Sequence, residues 1–182
     1  EITVTSAADD SAEFVTSAIS ENRGDIVEVT IETTGTSTAT VNFGSAEDGV
    51  KANATFEDDD GDDQVTFLIN THNTESALPN ADTSAVFALD SDSEDNLLDQ
   101  TLNRQPNGNL IDAGNYDLEV EAGDIDNAPG SAPGVADSDD VATVTLTERG
   151  TENLRMWTGS ADEVGTPSDL EDINTAIEEG QI

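Results

Sequence analysis

Apolar residues recur at every second position through most of this chain. Val27, Val29 and Ile31 alternate with Glu28, Thr30 and Glu32, and Ala39, Val41 and Phe43 alternate with Thr38, Thr40 and Asn42. Val50, Ala52, Ala54 and Phe56 form a third run, opposed by Lys51, Asn53, Thr55 and Glu57. Val65, Phe67 and Ile69 follow, then Tyr116, Leu118 and Val120, and last Ala142, Val144 and Leu146. Successive side chains of a strand point to opposite faces, so each run predicts a strand with one buried face. Shorter patterns mark weaker strand candidates at 2–5, 14–17, 85–89 and 154–158. Many short strands without helices between them predict an all-β sandwich or barrel.

The segments between the runs are rich in turn formers. Thr34-Gly35-Thr36, the stretch from Ser45 to Gly49 and the acidic stretch from Asp58 to Asp63 read as short hairpin connections. Residues 71–84, 90–113 and 123–140 read as long polar loops, a kind of segment that often carries function. Asp112-Ala113-Gly114-Asn115-Tyr116 has the D-x-G-x-Y form that opens the penultimate strand of immunoglobulin-like domains. There the tyrosine hydroxyl bonds back to upstream backbone, so Tyr116 is expected to form a structural corner and the sandwich to be immunoglobulin-like.

Past residue 160 the pattern changes. Ser168 and Glu171 have the spacing of a capping box, Leu170, Ile173, Ala176 and Ile177 follow at helical spacing, and Gly180 stands where a helix stops. This predicts a sandwich over 1–160, then a linker and a short helix at about 169–179 that starts, or leads to, a following module.

Charge changes the picture most. The 182 residues hold 41 acidic and five basic side chains, a formal net charge of -36 at pH 7. A compact body so charged repels itself in dilute buffer. At about 1 M salt the screening length falls to roughly 3 Å and most of that repulsion disappears, so a very saline environment is expected. Carboxylates lie on strand faces as well as in loops (Glu28, Glu32, Asp117, Glu119, Glu121), and the periodicity argues against an acidic disordered tail. Lys51 is the sole lysine, beside Arg23, Arg104, Arg149 and Arg155. Replacing lysine by Asp or Glu removes flexible aliphatic surface where salt strengthens apolar association. The negative surplus argues against binding nucleic acid or an anionic membrane surface and favours cations as partners.

The remaining composition narrows the class further. Cysteine is absent, which removes disulfides and thiol chemistry and leaves apolar packing to hold the sheets. Aromatic content is only 4%, so the core is expected to be built from Val, Ile, Leu and Ala. No apolar run approaches the roughly 20 residues that cross a membrane. The chain starts at Glu1 without a signal peptide, and is read as beginning at a processed or cut end.

These features occur in a particular order. Gly24 to Val29 leads into Ala39-Thr40-Val41 and a turn from Gly44 to Gly49; then come the acidic stretch at 58–63, Leu110 to Leu118, Ala142 to Thr151, and Met156-Trp157-Thr158. In that order the chain resembles the repeated immunoglobulin-like domain of haloarchaeal cell-surface proteins of the S-layer glycoprotein type. The resemblance covers nearly the whole chain. It implies a secreted, modular, often glycosylated envelope component. The chain lacks the family's signal peptide, Thr-rich stalk and membrane anchor, so the resemblance does not by itself imply residence in a lattice.

Candidate chemistry is sparse. Asn53-Ala54-Thr55 is the sole N-glycosylation sequon, and the alternation sets Asn53 on the polar strand face, where a glycan would find it accessible. Asp58, Asp60 and Asp62 around Gly61 have the character of a Ca²⁺ loop, oxygen ligands on alternate residues with a glycine at the turn, although no closing glutamate makes an EF-hand. The stretches Asp90–Asp95 and Asp137–Asp140 are weaker versions of the same pattern. His72 is the lone histidine, and without cysteine or a nucleophile-elbow motif it predicts neither a transition-metal site nor catalysis. Met156 and Trp157 are expected to plug the core or brace the helix, the alternative being a partner-contacting patch. The expectation is a non-enzymatic structural module of a cell-surface or S-layer-type protein, contacting neighbouring modules or copies of itself and cations. The alternatives are a cation-dependent adhesion or carbohydrate-binding domain of a secreted protein, and a viral spike or decoration domain from the same environment.

Overall fold

The computed structural model describes residues 9–74, 85–104, 110–123, 135 and 137–150. The chain divides at Arg149/Gly150 into two units. The strand candidates at 2–5 and 154–158, Met156, Trp157, the boundary expected at 160/161 and the helix expected at 169–179 lie outside the described residues.

Among the described residues, ten strands form two sheets. The first sheet has the order β1-β3-β6-β7, with β1 Ser11–Phe14, β3 Ile26–Thr34, β6 Gln64–Asn70 and β7 Phe87–Leu89. The second has the order β2-β10-β9-β4-β5-β8, with β2 Ala18–Asn22, β10 Asp140–Thr147, β9 Gly114–Ala122, β4 Thr38–Phe43, β5 Val50–Glu57 and β8 Asn96–Arg104. All pairings are antiparallel except that of β2 with β10. The chain therefore switches sheets at Val15–Ser17, and only Phe14 of the strand candidate at 14–17 lies in a strand.

The alternating residues all face one shared core. In β3, Val27, Val29, Ile31 and Thr33 are buried while Ile26, Glu28, Glu32 and Thr34 are exposed. The other predicted runs contribute their apolar faces in the same way. The core is mostly Val, Ile, Leu and Ala, as expected, with the aromatics packed among them. All five phenylalanines are buried, and the stacked rings of Phe56 on β5 and Phe67 on β6, with centroids 4.5 Å apart, join the two sheets. Phe87 completes this cluster, and Phe43 packs on Tyr116 at 5.5 Å. Among the described residues every aromatic side chain is buried, where large side chains bury the most area.

Two expected hairpins are sheet-to-sheet crossings. Gly35–Ser37 carries the chain from β3 to β4, and Asp58–Asp63 carries it from β5 to β6, in each case between different sheets. Of the three short connections read as hairpins, only Gly44–Gly49 joins paired strands, β4 and β5. Gly44 is required there: its φ is +69°, and a Cβ would sit 2.6 Å from the Val50 carbonyl oxygen. In a variable-type immunoglobulin sandwich the strand after C′ extends the second sheet, and a later strand pairs beside B. Here β6, directly after β5, pairs beside β3, and β8 extends the second sheet. The chain order departs from the immunoglobulin one at β6 and β8.

Side chains close both edges of the first sheet. The Asp139 carboxylate accepts the Ala12 amide of β1 at 3.1 Å and the Ala122 amide of β9 at 2.8 Å, and Asp140 accepts the Phe14 amide at 2.9 Å. At β7, the Gln100 amide accepts from Phe87 N at 3.0 Å and donates to Phe87 O at 3.1 Å, as a neighbouring strand would. Unpaired strand edges invite association with other chains, and these contacts remove both.

Candidate functional site

Two acidic segments meet at one end of the fold. The Asp58–Asp63 crossing and the Asp90–Asp95 loop between β7 and β8 line a cleft of about 360 Å³ with Gln64 and Thr66 of β6. The sequence marks both segments separately as cation-loop candidates. Their meeting follows from the sheet order, because β5 leads into the crossing, and β7, paired with β6, leads into the second loop.

The crossing is held by its own carboxylates. Asp58 is 6% exposed, and its two oxygens accept the Gly61 amide at 2.7 Å and the Asp63 amide at 2.9 Å. Asp60 accepts the Asp62 amide at 3.1 Å, and Asp62 accepts the Gln64 amide at 2.9 Å. Gly61 and Asp63 both have positive φ, +77° and +65°, conformations open to glycine and tolerated by aspartate. Asp58 N donates to Ser37 O at 2.8 Å and Thr33 N to Asp63 O at 2.9 Å, so the crossing leans on its counterpart between β3 and β4. In the second loop, Asp90 accepts the Asp92 amide at 3.1 Å and Ser93 Oγ donates to Asp95 at 3.0 Å.

The convergent carboxylates are Asp58, Asp60 and Asp95, whose oxygens lie within 4.8 Å of one another. The sequence grouped Asp58 and Asp60 with Asp62; the fold instead brings Asp95 to them, 35 residues or more along the chain, and leaves Asp62 in the cleft lining. Crowding raises two of the three above the ordinary aspartate range. Desolvation is the largest cause for Asp95, with Asp58 and Asp62 adding repulsion. For Asp60 the largest single influence is the Asp62 amide, which lowers it, but desolvation and the charges of Asp62, Asp95 and Asp58 together prevail. The Oδ1 atom of Asp95 is buried without a hydrogen-bond partner. Crowded carboxylates with a spare oxygen suit a hard cation such as Ca²⁺.

The other singled-out residues lie elsewhere. Tyr116 opens β9 from its buried face, and its hydroxyl donates to Asp112 O at 2.7 Å. Asn53 is on the outward face of β5 with Thr55, but both are 1% exposed, so the accessible polar face expected for the sequon is covered. His72 donates its amide to Asn70 Oδ1 at 3.1 Å in the turn after β6. Asp139 and Asp140, from one of the two weaker acidic segments, bind the β1 edge. Nothing in the spacing of Asp137–Asp140 distinguishes such edge-capping carboxylates from loop ligands.

The family described as Domain of unknown function (DUF7827) matches residues 4–123. A cell surface glycoprotein of Haloferax gibbonsii is 37% identical over 180 residues, covering 97% of this chain and 18% of that protein. Cell surface glycoprotein 1 of Haloarcula hispanica is 28% identical over 181 residues, covering 97% of this chain and 18% of its own length. Cell surface glycoprotein 2 of the same organism is 28% identical over 167 residues, covering 89% of this chain and 17% of its own. The chain thus spans under a fifth of the length of the curated relatives it matches. No solved structure matches it.

Proposed function

The chain belongs to the family described as Domain of unknown function (DUF7827), and from that premise we propose that it is one structural module of a haloarchaeal cell-surface protein, with a mechanical and non-enzymatic role. The observation that carries this is the 37% identity to a haloarchaeal cell surface glycoprotein over 97% of the chain. The relatives' lengths accommodate several such modules, which suits an envelope or S-layer-type component.

Cations are the proposed partners of its acidic surface. The net charge of -36 is tolerated where dissolved salt screens it. The cleft between the two acidic loops takes a divalent ion on Asp58, Asp60 and Asp95, which stiffens the end of the sandwich for contact with a neighbouring module. A carbohydrate-binding role finds less support: the cleft lining contains no aromatic residue, and every aromatic side chain among the described residues is buried in the core.

The test has two arms. Fractionation of cells producing the parent protein should recover it in the envelope; recovery in the cytosol would reject the surface reading. Calorimetric titration of the chain with CaCl₂ in concentrated NaCl should show saturable binding that Asp60→Asn weakens. Heat equal to that of dilution would reject the divalent site and leave the surface role standing.

A further inference from the structure

The outer face of the six-stranded sheet holds a second polar constellation, apart from the acidic cleft. Thr40 and Asn42 on β4, and Asn53 and Thr55 on β5, point away from the core, yet each is 1% exposed. The register sets Thr40 opposite Thr55 and Asn42 opposite Asn53, with Glu119 of β9 on the other side of Asn42. Asn42 Nδ2 donates to Glu119 Oε2 at 3.3 Å. That bond fixes the amide orientation, since the flipped amide would set its oxygen against a carboxylate. Asn42 Oδ1 is thereby left buried with no hydrogen-bond partner.

The neighbouring hydroxyls are engaged elsewhere: Thr40 donates to the Gly123 carbonyl at 3.1 Å, and Thr40 and Thr55 share a 3.0 Å contact, while Asn42 Oδ1 has no partner. Lys51, the basic residue on this face of β5, forms no ion pair among the described residues. What remains is a buried amide oxygen with no donor, on an amide whose nitrogen is bonded to a carboxylate, and no ion pair of Glu119 with a basic side chain among the described residues.

We infer that a monovalent metal cation binds on this face, held by Asn42 Oδ1 and the Glu119 carboxylate. Carbonyl, hydroxyl and carboxylate oxygens suit alkali and alkaline-earth ions. Glu119 is the carboxylate bonded to this amide, and one positive charge balances it, whereas a divalent ion bound there would carry a further charge out of water. The ion ties β4 to β9 at the centre of the sheet.

Thermal unfolding in potassium, sodium and N-methylglucamine chlorides at one ionic strength tests this. The wild-type chain should melt about 2–4 °C higher in at least one alkali salt than in the organic salt, a shift that corresponds to a modest binding contribution. Asn42→Val should lose most of that difference, while Asp60→Asn in the cleft should keep it. Should Asn42→Val not fold, Asn42→Asp supplies the test, since a second carboxylate should widen the difference. Crystals soaked in rubidium chloride should show anomalous density beside Asn42 Oδ1. No difference between salts in the wild type, or the same difference in Asn42→Val or Asn42→Asp as in the wild type, overturns the inference and leaves hydration water as the partner of that oxygen.

Discussion

The hydroxyl of Tyr116, at the start of β9, donates to the backbone carbonyl of Asp112 at 2.7 Å and ties the incoming loop to the strand that follows. Burial, with help from Asp112 and Asp48, pushes the phenol up to about 12. A raised folded value means that the neutral phenol is the form the fold favours. Its contribution is complete below the unfolded value of about 10 and is lost as pH rises from there to about 12. Tyr116→Phe should cost about 1–2 kcal/mol at neutral pH, because a carbonyl loses its donor, and should flatten the alkaline loss. Tyr116 is the only tyrosine, so near-ultraviolet tyrosinate absorbance reads its titration directly; ionisation near the free value would contradict the buried corner.

Asp58 organises the crossing between β5 and β6 through two amides at once. Asp58→Ala should destabilise the chain by about 1–3 kcal/mol, the range for stranding hydrogen-bonded groups at a buried position. Asp59→Ala, at an exposed neighbouring position, should change stability by less than about 0.5 kcal/mol. Equilibrium denaturation in concentrated salt separates the two; equal effects would mean that Asp58 does not hold the loop.

Asp95 and Asp60 carry the opposite pH signature from a stabilising ion pair. Both are raised, so their ionisation opposes folding. Their favourable contribution is present below 3.8 and fades as pH rises through the raised folded values. Asp95→Asn should therefore raise the melting temperature in chelator at neutral pH by roughly 1–4 °C and remove the increment produced by Ca²⁺. Melting curves with and without Ca²⁺ decide it; an Asn variant that keeps the full increment would exclude Asp95 as a ligand.

Gln100 stands in for a missing strand beside β7. Gln100→Leu keeps the volume but strands both backbone groups of Phe87, at a cost of about 1–3 kcal/mol. Hydrogen exchange at the Phe87 amide should accelerate beyond what global destabilisation explains. Unchanged relative protection would show that the side-chain bonds do not close this edge.

Legibility followed the period of the pattern. β3, β4, β5, β6, β9 and β10 each have one clean apolar face, and each contains its predicted run. β2 and β8 did not show. β2 is a mostly exposed edge strand with no apolar face to reveal it. In β8 the register shifts opposite Thr55/Phe56, leaving Leu98 as an extra, exposed residue between Leu97 and Asp99. That bulge breaks the alternation on which the reading of 90–113 as loop depended.

The acidic loops were visible one at a time, and their joint site was not. Local composition marks a loop that can carry carboxylates, but not which distant loop lies beside it. Asp95 joins Asp58 and Asp60 because β6 and β7 are neighbours in one sheet while β5 and β8 are neighbours in the other. The same limit explains Asn53. Alternation correctly sets it on the face away from the core, yet only the assembled chain determines that this face is covered.

By itself the sequence determined the all-β class, the residues of the core faces, the Tyr116 segment and the acidic surface, because side-chain direction in a strand and net charge are local or additive properties. Tertiary structure alone decided which strands pair, which turns cross between sheets, and which carboxylates converge, because backbone hydrogen bonds join strands with no regard to the identity of the side chains between them.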